Sequence, residues 1–406
     1  MLKYRGGFFL FKDHQVLILN FFKLTFASVV IGFIGSLFLQ ALEFSTLFRE
    51  GTPELIYGLP FAGLLIVFLY SLPSENLNNG SLLIAERFAN LRTNLSWLLA
   101  PLIFTTTLIT HLFGGSAGRE GTAMQVGGAL GEAFASKDSA GLKKLFLTSG
   151  IAAGFAAVFG TPWAAFVFSL EIQKNKTKIH YVAPLYCAFL AHFVCLLSGG
   201  THTKYSQFQL RAMEFSHWLI LKLLIGALAF ALLGLLFLWL SKKAAQGFQY
   251  IRSPYRRVFF GGALLVCLIL IIPDSYRYLG LGVSEIEKSL TSFSHPVDFA
   301  LKMLFTILTL APGFKGGEVT PLFFIGSSAG SALDNLLPST GPELLLAKLG
   351  FVAVFASVGK VPLTSALLAA ELFGYEILII ALPVCFLTSY CTQHHGIYKS
   401  QGGTPQ

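Results

Sequence analysis

Charge is scarce in this sequence. Asp, Glu, Lys and Arg make up 12% of its 406 residues, about half the ~25% of a soluble domain. With 54% of its residues hydrophobic, so lightly charged a chain cannot keep its surface hydrated. The deficit excludes cytosolic enzymes, disordered proteins and nucleic-acid binders together, and a mean hydropathy of +0.68 places the chain in a bilayer. Cysteine is also sparse. Cys187, Cys195, Cys267, Cys385 and Cys391 are odd in number and form no C-x-x-C, so they read as small buried apolar side chains rather than a disulfide framework. The catalytic signatures H-E-x-x-H, P-loop and G-x-S-x-G are missing. The nine histidines, including the adjacent His394-His395, show no metal spacing. The sequence therefore predicts no metal, no cofactor and no enzyme.

The charge that is present has a pattern. The net +9 is gathered in short clusters between apolar runs: Lys3, Arg5 and Lys12; Lys143 and Lys144; Lys174, Lys176 and Lys178; Lys242 and Lys243; Arg252, Arg256 and Arg257. Such clusters mark cytoplasmic loops of a multi-pass protein of the cytoplasmic membrane, not a nucleic-acid interface. Apolar stretches occupy roughly 16–45, 54–73, 95–113, 145–170, 181–198, 218–240, 258–272, 299–311, 320–334, 349–370 and 376–391. The first is too long for a signal-peptide core and reads as an uncleaved transmembrane helix, with Lys23 snorkelling near one end. Trp218–Leu240, with the single charge Lys222, spans without difficulty. Others are short or cut by Gly and Pro, which points to half-helices meeting near the bilayer midplane.

The chain also repeats itself. Phe155–Glu171 aligns with Phe355–Glu371 at a constant offset of 200, with Phe, Ala, Val, Pro and Glu at matched places. Upstream, Gly118-Arg-Glu-Gly-Thr122 aligns with Gly316-Gly-Glu-Val-Thr320 at an offset of 198. Two ordered pairs at near-equal offset predict two similar halves of one transmembrane domain. They run from about 15 to 200 and from about 213 to 400, joined where Gly199, Gly200, Thr201, His202 and Lys204 break the apolar pattern. The tail after Lys399 leaves no room for a cytoplasmic regulatory domain.

Three segments place a Gly- or Asn-rich turn before an apolar helix: Asn78-Asn79-Gly80 before 82–90, Gly114–Gly121 before 123–135, and Gly313–Pro321 before 322–333. A helix N-terminus has unpaired N–H groups and the positive end of the helix dipole. Several such ends converging within a membrane make an anion site of partial charges, from which an anion can leave again. One such turn alone would be an ordinary cap, and the Gly-x-x-x-Gly pairs 114/118, 150/154 and 326/330 read as close helix packing. Carboxylates raise two of the turns above that reading. Glu120 and Glu318 sit at predicted positive helix ends in apolar surroundings, where ionisable residues are costly. A carboxylate competes with an anion for the same donors and protonation releases it, which couples anion to proton movement. Glu171 and Glu371 end their helices and read as caps, ion-pair partners or water-facing groups.

Gly114-Gly-Ser-Ala-Gly-Arg-Glu-Gly121 resembles the G-x-x-x-G-[RK]-E-G-P motif of the CLC chloride channel and transporter family, with Thr122 in place of Pro. Gly316-Gly-Glu-Val-Thr-Pro321 resembles its G-G-x-F-x-P motif, and Gly396-Ile-Tyr398 the segment bearing its anion-contacting Tyr. The resemblance covers about residues 15–400. It implies an all-α integral membrane protein with a CLC-type fold of tilted and broken helices, in two inverted repeats, assembled as a homodimer with one pore per subunit. Where the family's G-S-G-I-P turn offers Ser, this chain has Asn79, or Asn78 with a one-residue shift. The inner proton-carrying Glu falls at Ile172, and Glu318 and Thr320 are polar where most members are apolar. These departures resemble the CLC-F branch of fluoride/proton antiporters, which lacks the inner Glu.

That branch implies roles. Glu120 is the gating, proton-carrying carboxylate, with Glu318 and Thr320 as coupling groups. Asn79, Tyr398 and the backbone N–H groups of Glu318 and Val319 line a central anion site. The backbone N–H groups around Arg119, Gly121 and Thr320 line an outer one. Fluoride needs strong donors to replace its hydration, and an Asn amide offers two N–H where a Ser hydroxyl offers one O–H. The substrates implied are fluoride and protons, with membrane lipid around the homodimer and no nucleic acid. The competing readings are a chloride/proton antiporter or passive anion channel on the same scaffold, a membrane enzyme using the paired carboxylates, and a cation transporter. Fluoride export in exchange for protons is the reading favoured by these residues.

Overall fold

The computed structural model describes residues 6–75, 77, 84, 86–87, 95–173, 179–209, 216–338, 342–392 and 396, with side chains from Ile18 onward except at 179 and 180. Fifteen α-helices and no strand occur among them. The first half contains α1 (Gly6–Gly51), α2 (Leu59–Ser71), α3 (Leu99–Leu112), α4 (Glu120–Phe134), α5 (Ala140–Phe159), α6 (Pro162–Glu171) and α7 (Ile179–Leu197). The second contains α8 (His217–Gln249), α9 (Pro254–Ile271), α10 (Val283–Ser289), α11 (Asp298–Leu310), α12 (Val319–Leu336), α13 (Leu345–Gly359), α14 (Pro362–Phe373) and α15 (Leu378–Cys391).

Among the described residues, five helical stretches are long and apolar enough to cross a membrane: Ile18–Gly51, Pro53–Ser71, Ala140–Phe159, His217–Gln249 and Pro254–Ile271. The other apolar helices have 10–17 residues, the short segments that the interrupted hydropathy predicts. Two runs that look continuous in the sequence are divided. The stretch 145–170 becomes α5 and α6, and 349–370 becomes α13 and α14. Gly160 and Lys360 take left-handed C-cap conformations, and Pro162 and Pro362 then open the next helices. Lys23, expected to snorkel, pairs its ammonium with Asp138 at 2.9 Å. The single charge within Trp218–Leu240, Lys222, is buried and paired with Asp334 at 2.8 Å.

The two halves correspond helix by helix. α1 matches α8, α2 matches α9, and α3 through α7 match α11 through α15, with the same neighbours packed together in each half. Glycines sit at matched contacts. A Cβ on Gly127 of α4 would collide with the Gly150 carbonyl of α5, and one on Gly326 of α12 with the Gly350 carbonyl of α13. Such contacts between backbones are the small-residue packing of membrane helices, as read for 150/154 and 326/330. The pair 114/118 differs: Gly114 has φ +87° in a turn and Gly118 lies in a backbone bridge.

The halves run in opposite senses. The end of α1 at Arg49 and the segment after α9, residues 276–284, line one cavity. Only residues 250–253 separate α8 from α9, so α8 ends at the face away from that cavity. α1 therefore runs toward the cavity and its counterpart α8 away from it, the inversion expected of such repeats.

Candidate functional site

The Gly-rich turns bring two helix N-termini to one place. Glu120 is the first residue of α4 and Val319 the first of α12, with Arg119 and Glu318 as their N-caps. Both helices begin earlier than the 123 and 322 expected from the apolar pattern. Gly118 N–H donates to Gly317 O at 2.6 Å and Gly317 N–H to Gly118 O at 2.7 Å. Side chains would not fit in this bridge: a Cβ on Gly118 would stand 2.9 Å from Thr320 N, and one on Gly317 2.8 Å from Gly121 N.

Glu120 is fully buried at 0% exposure. One of its carboxylate oxygens accepts the Thr320 N–H at 3.1 Å and the Thr320 hydroxyl. That hydroxyl oxygen also accepts the Arg119 N–H at 3.4 Å. The other carboxylate oxygen faces Arg119 Nε at 3.5 Å and has no hydrogen-bond partner among the described residues. The Thr320 N–H belongs to the first turn of α12, whose donors have no intrahelical acceptor. A carboxylate from one half thus occupies the positive end of a helix from the other half, the position an anion would take.

Hydroxyls brace the turn behind this point. Ser116 Oγ meets Thr306 Oγ1 at 3.0 Å, and Ser116 N–H donates to Thr309 Oγ1 at 3.0 Å. Phe323, one turn into α12, stacks on Phe351 with centroids 4.2 Å apart and meets Phe355 edge-on at 5.5 Å. This apolar wall keeps bulk water from the first turn of α12, where unscreened partial charges act most strongly.

The residues expected from the sequence divide accordingly. Arg119, Glu120, Gly121, Glu318, Val319 and Thr320 converge at the paired N-termini. Val319 is buried, and Glu318 is half-buried with no capping bond from its side chain. Asn79, its neighbour Asn78, and Tyr398 lie outside the described residues. Glu171 and Glu371 resolve as caps. Glu171 accepts the N–H groups of Leu363 and Thr364 at 3.0 and 2.8 Å, and Glu371 those of Trp163 and Ala164 at 3.0 and 2.7 Å. Each ends its own helix and caps the start of the other, so α6 and α14 lie antiparallel.

Sequence reasoning passed over Arg49, Lys302 and the hydroxyls of α11. Arg49 and Lys302 are buried cations, Arg49 next to Glu50 and Lys302 among apolar neighbours, and a buried cation is itself a functional signal within a membrane. Thr306 and Thr309 stand three apart in the apolar second half of α11, and both reach Ser116 in the turn.

A family model described as voltage gated chloride channel matches residues 62–393. The chain belongs to the CLC family. A chloride/fluoride channel protein of Pseudomonas syringae pv. tomato is 35% identical over 390 residues, covering 92% of this chain and 84% of the relative. An H+/Cl− exchange transporter of Vibrio campbellii is 28% identical, covering 73% of this chain and 67% of its own. Among solved structures, a CLC-type fluoride/proton antiporter superposes with a TM-score of 0.87 at 30% identity, covering 94% of this chain and 97% of that one. A slow cyanobacterial Cl−/H+ antiporter shares the fold with a TM-score of 0.79 at 21% identity, over 93% and 96%. The CLC fold accounts for the shared order of helices in the two halves, and its motifs are the two turns that meet at Gly118 and Gly317.

Proposed function

We propose that this CLC protein is a secondary active fluoride/proton antiporter that exports fluoride across the cytoplasmic membrane. The observation that carries the reading is the Glu120 carboxylate seated on the N–H and hydroxyl of Thr320. An anion arriving at the ends of α4 and α12 competes for those donors. Glu120 leaves more readily when protonated, because the neutral form gives up the attraction of the helix end. Each exchange of carboxylate for anion therefore carries a proton in the opposite direction. Thr320 and Glu318 are the coupling groups, Asn79 and Tyr398 complete a central site, and Arg119, Gly121 and Thr320 frame an outer one.

Fluoride is favoured by the Thr320 hydroxyl at the first turn of α12, by Asn79 in the Asn-rich sequence 78–80, and by the 35% identical chloride/fluoride channel protein. Ile172, at the end of α6, offers no proton carrier where the family's inner Glu stands. The basic residues give the orientation. Lys242, Lys243, Arg252, Arg256 and Arg257 lie at the α8–α9 link, and Lys143 and Lys144 follow Asp138, the partner of Lys23 in the first part of α1. These clusters share the face opposite the Arg49 cavity, so the positive-inside rule puts the cavity on the outside. The assembly is read as a homodimer, as the CLC resemblance implies.

The test is purified protein in liposomes, with fluoride and chloride release followed by ion-selective electrodes. Fluoride release far exceeding chloride release is expected. Equal passage of the two ions would overturn the fluoride assignment and leave a chloride transporter or channel.

A further inference from the structure

The outer cavity, about 410 Å³ in volume, ends on Arg119 beside Glu120 and on Arg49. Arg49 is 7% exposed and donates from Nη1 to His111 O at 2.7 Å. Lys302 is 0% exposed and donates from Nζ to the carbonyls of Tyr278 at 3.0 Å and Gly280 at 2.8 Å. The two cations meet at one turn. A Cβ on Gly280 would stand 2.8 Å from Arg49 Nη1, and one on Gly282, which lines the cavity, 3.4 Å from Lys302 Nζ. Both glycines have positive φ, so the turn keeps this narrow wall free of side chains.

Neither cation forms an ion pair within 4.0 Å among the described residues. Two other buried basic side chains contrast with them, since Arg87 pairs with Glu132 and Lys222 with Asp334, while buried Lys348 stands without an ion pair within 4.0 Å among the described residues. The carboxylates that line the cavity, Glu43, Glu50 and Glu287, are exposed at its rim, where water screens them. Two buried cations side by side without a counter-charge are costly. Lys302 has three N–H donors and uses two on carbonyls, and the Arg49 guanidinium has five.

We infer that Arg49, backed by Lys302, forms an anion-binding site in this cavity, distinct from the positions at the ends of α4 and α12. Its ligand is a small monovalent anion of the halide class, held on the path to Glu120. The site rests on reading the chain as an anion transporter for its role, though not for its existence. It concentrates anion beside Arg119, so that displacement of the Glu120 carboxylate begins from a loaded vestibule. Because Arg49 and Lys302 do not touch Glu120, losing them alters how much anion is needed and leaves the coupling unchanged.

Two measurements decide this on the full-length protein. Crystals soaked in sodium bromide are expected to show anomalous density beside Arg49, absent from Arg49→Met. In liposomes, Arg49→Met and Lys302→Met are each expected to raise the half-saturating fluoride concentration at the cavity face by roughly fivefold or more. Maximal flux and proton-to-fluoride ratio stay at the parent value, and Arg49→Lys restores most of the affinity. Rescue by Lys separates the site from a fold defect. No bromide at Arg49 in the parent crystals, or parent-like saturation in both Met variants, overturns the site. A parent protein that moves no halide while binding bromide at Arg49 overturns the transport reading and leaves the site standing.

Discussion

Two contacts between the halves of this molecule use the same device to different ends. Where α6 meets α14, the device is reciprocal: Glu171 caps α14 and Glu371 caps α6, each through two N–H groups. Where α4 meets α12, it works in one direction. Glu120 caps α12 through Thr320, while Glu318 makes no capping bond with its own side chain. The reciprocal pair fills both helix ends at once, so neither end is free to take an anion. The one-way pair leaves an oxygen of Glu120 facing Arg119 at 3.5 Å without a hydrogen bond. It also leaves the start of α4 without a carboxylate from the other half. The pseudo-twofold symmetry of the scaffold is kept where it holds the halves together and broken at the proposed site of exchange.

Glu120→Gln is expected to have the largest effect on this comparison, because it removes the proton carrier and keeps the shape. A pH probe in liposomes should record proton movement at the protein-free background. Proton uptake at the parent rate would strip Glu120 of its role.

Asp334→Asn should be next. Asp334 caps α13 through the N–H groups of Leu346 and Ala347 at 2.7 and 3.2 Å while pairing with Lys222. Neutralising it removes the opposite charge 2.8 Å from a buried ammonium, and thermal unfolding in detergent should register a loss of about 3–5 kcal/mol. A stability equal to the parent's would show that this cap is as replaceable as the one at Glu120.

Glu371→Gln and Glu171→Gln should each weaken a reciprocal cap by roughly 0.5–2 kcal/mol, with selectivity and proton-to-fluoride ratio unchanged. A changed ratio at parent stability would place α6 and α14 within the transport cycle and break the contrast. Thr320→Val keeps the N–H and deletes the hydroxyl bond to Glu120, worth about 1.5–3 kcal/mol when one partner is charged. Fluoride preference over chloride, read by electrode, should fall while the protein remains coupled. Parent-like selectivity would shift attention to Asn79.

Much of this arrangement is legible in the sequence. The recurrence of Phe155–Glu171 at Phe355–Glu371 marks the two halves, and the two Gly-rich turns mark the helix ends that meet. Glu120 and Thr320 stand out because polar groups are rare in their surroundings. The division of 145–170 and 349–370 into two helices each is harder to read, since a single Gly160 or Lys360 does not end the apolar run around it. Only their left-handed backbones and the prolines two residues later end the helices. The exchange of caps between Glu171 and Glu371 depends on two helices lying antiparallel, which no local pattern encodes. Lys222 and Asp334 are 112 residues apart in the chain, so each reads as an isolated charge until the fold brings them together.

The central claim is that proton and fluoride move in opposite directions through one exchange at Glu120. It is tested most directly by loading liposomes with equal fluoride on both sides and imposing a proton gradient alone. The account predicts that fluoride moves against its own developing gradient toward the side from which protons come, and that Glu120→Gln abolishes the movement. Fluoride that stays level in the parent protein, while still leaking down a gradient imposed on fluoride itself, would contradict the account and describe a passive channel.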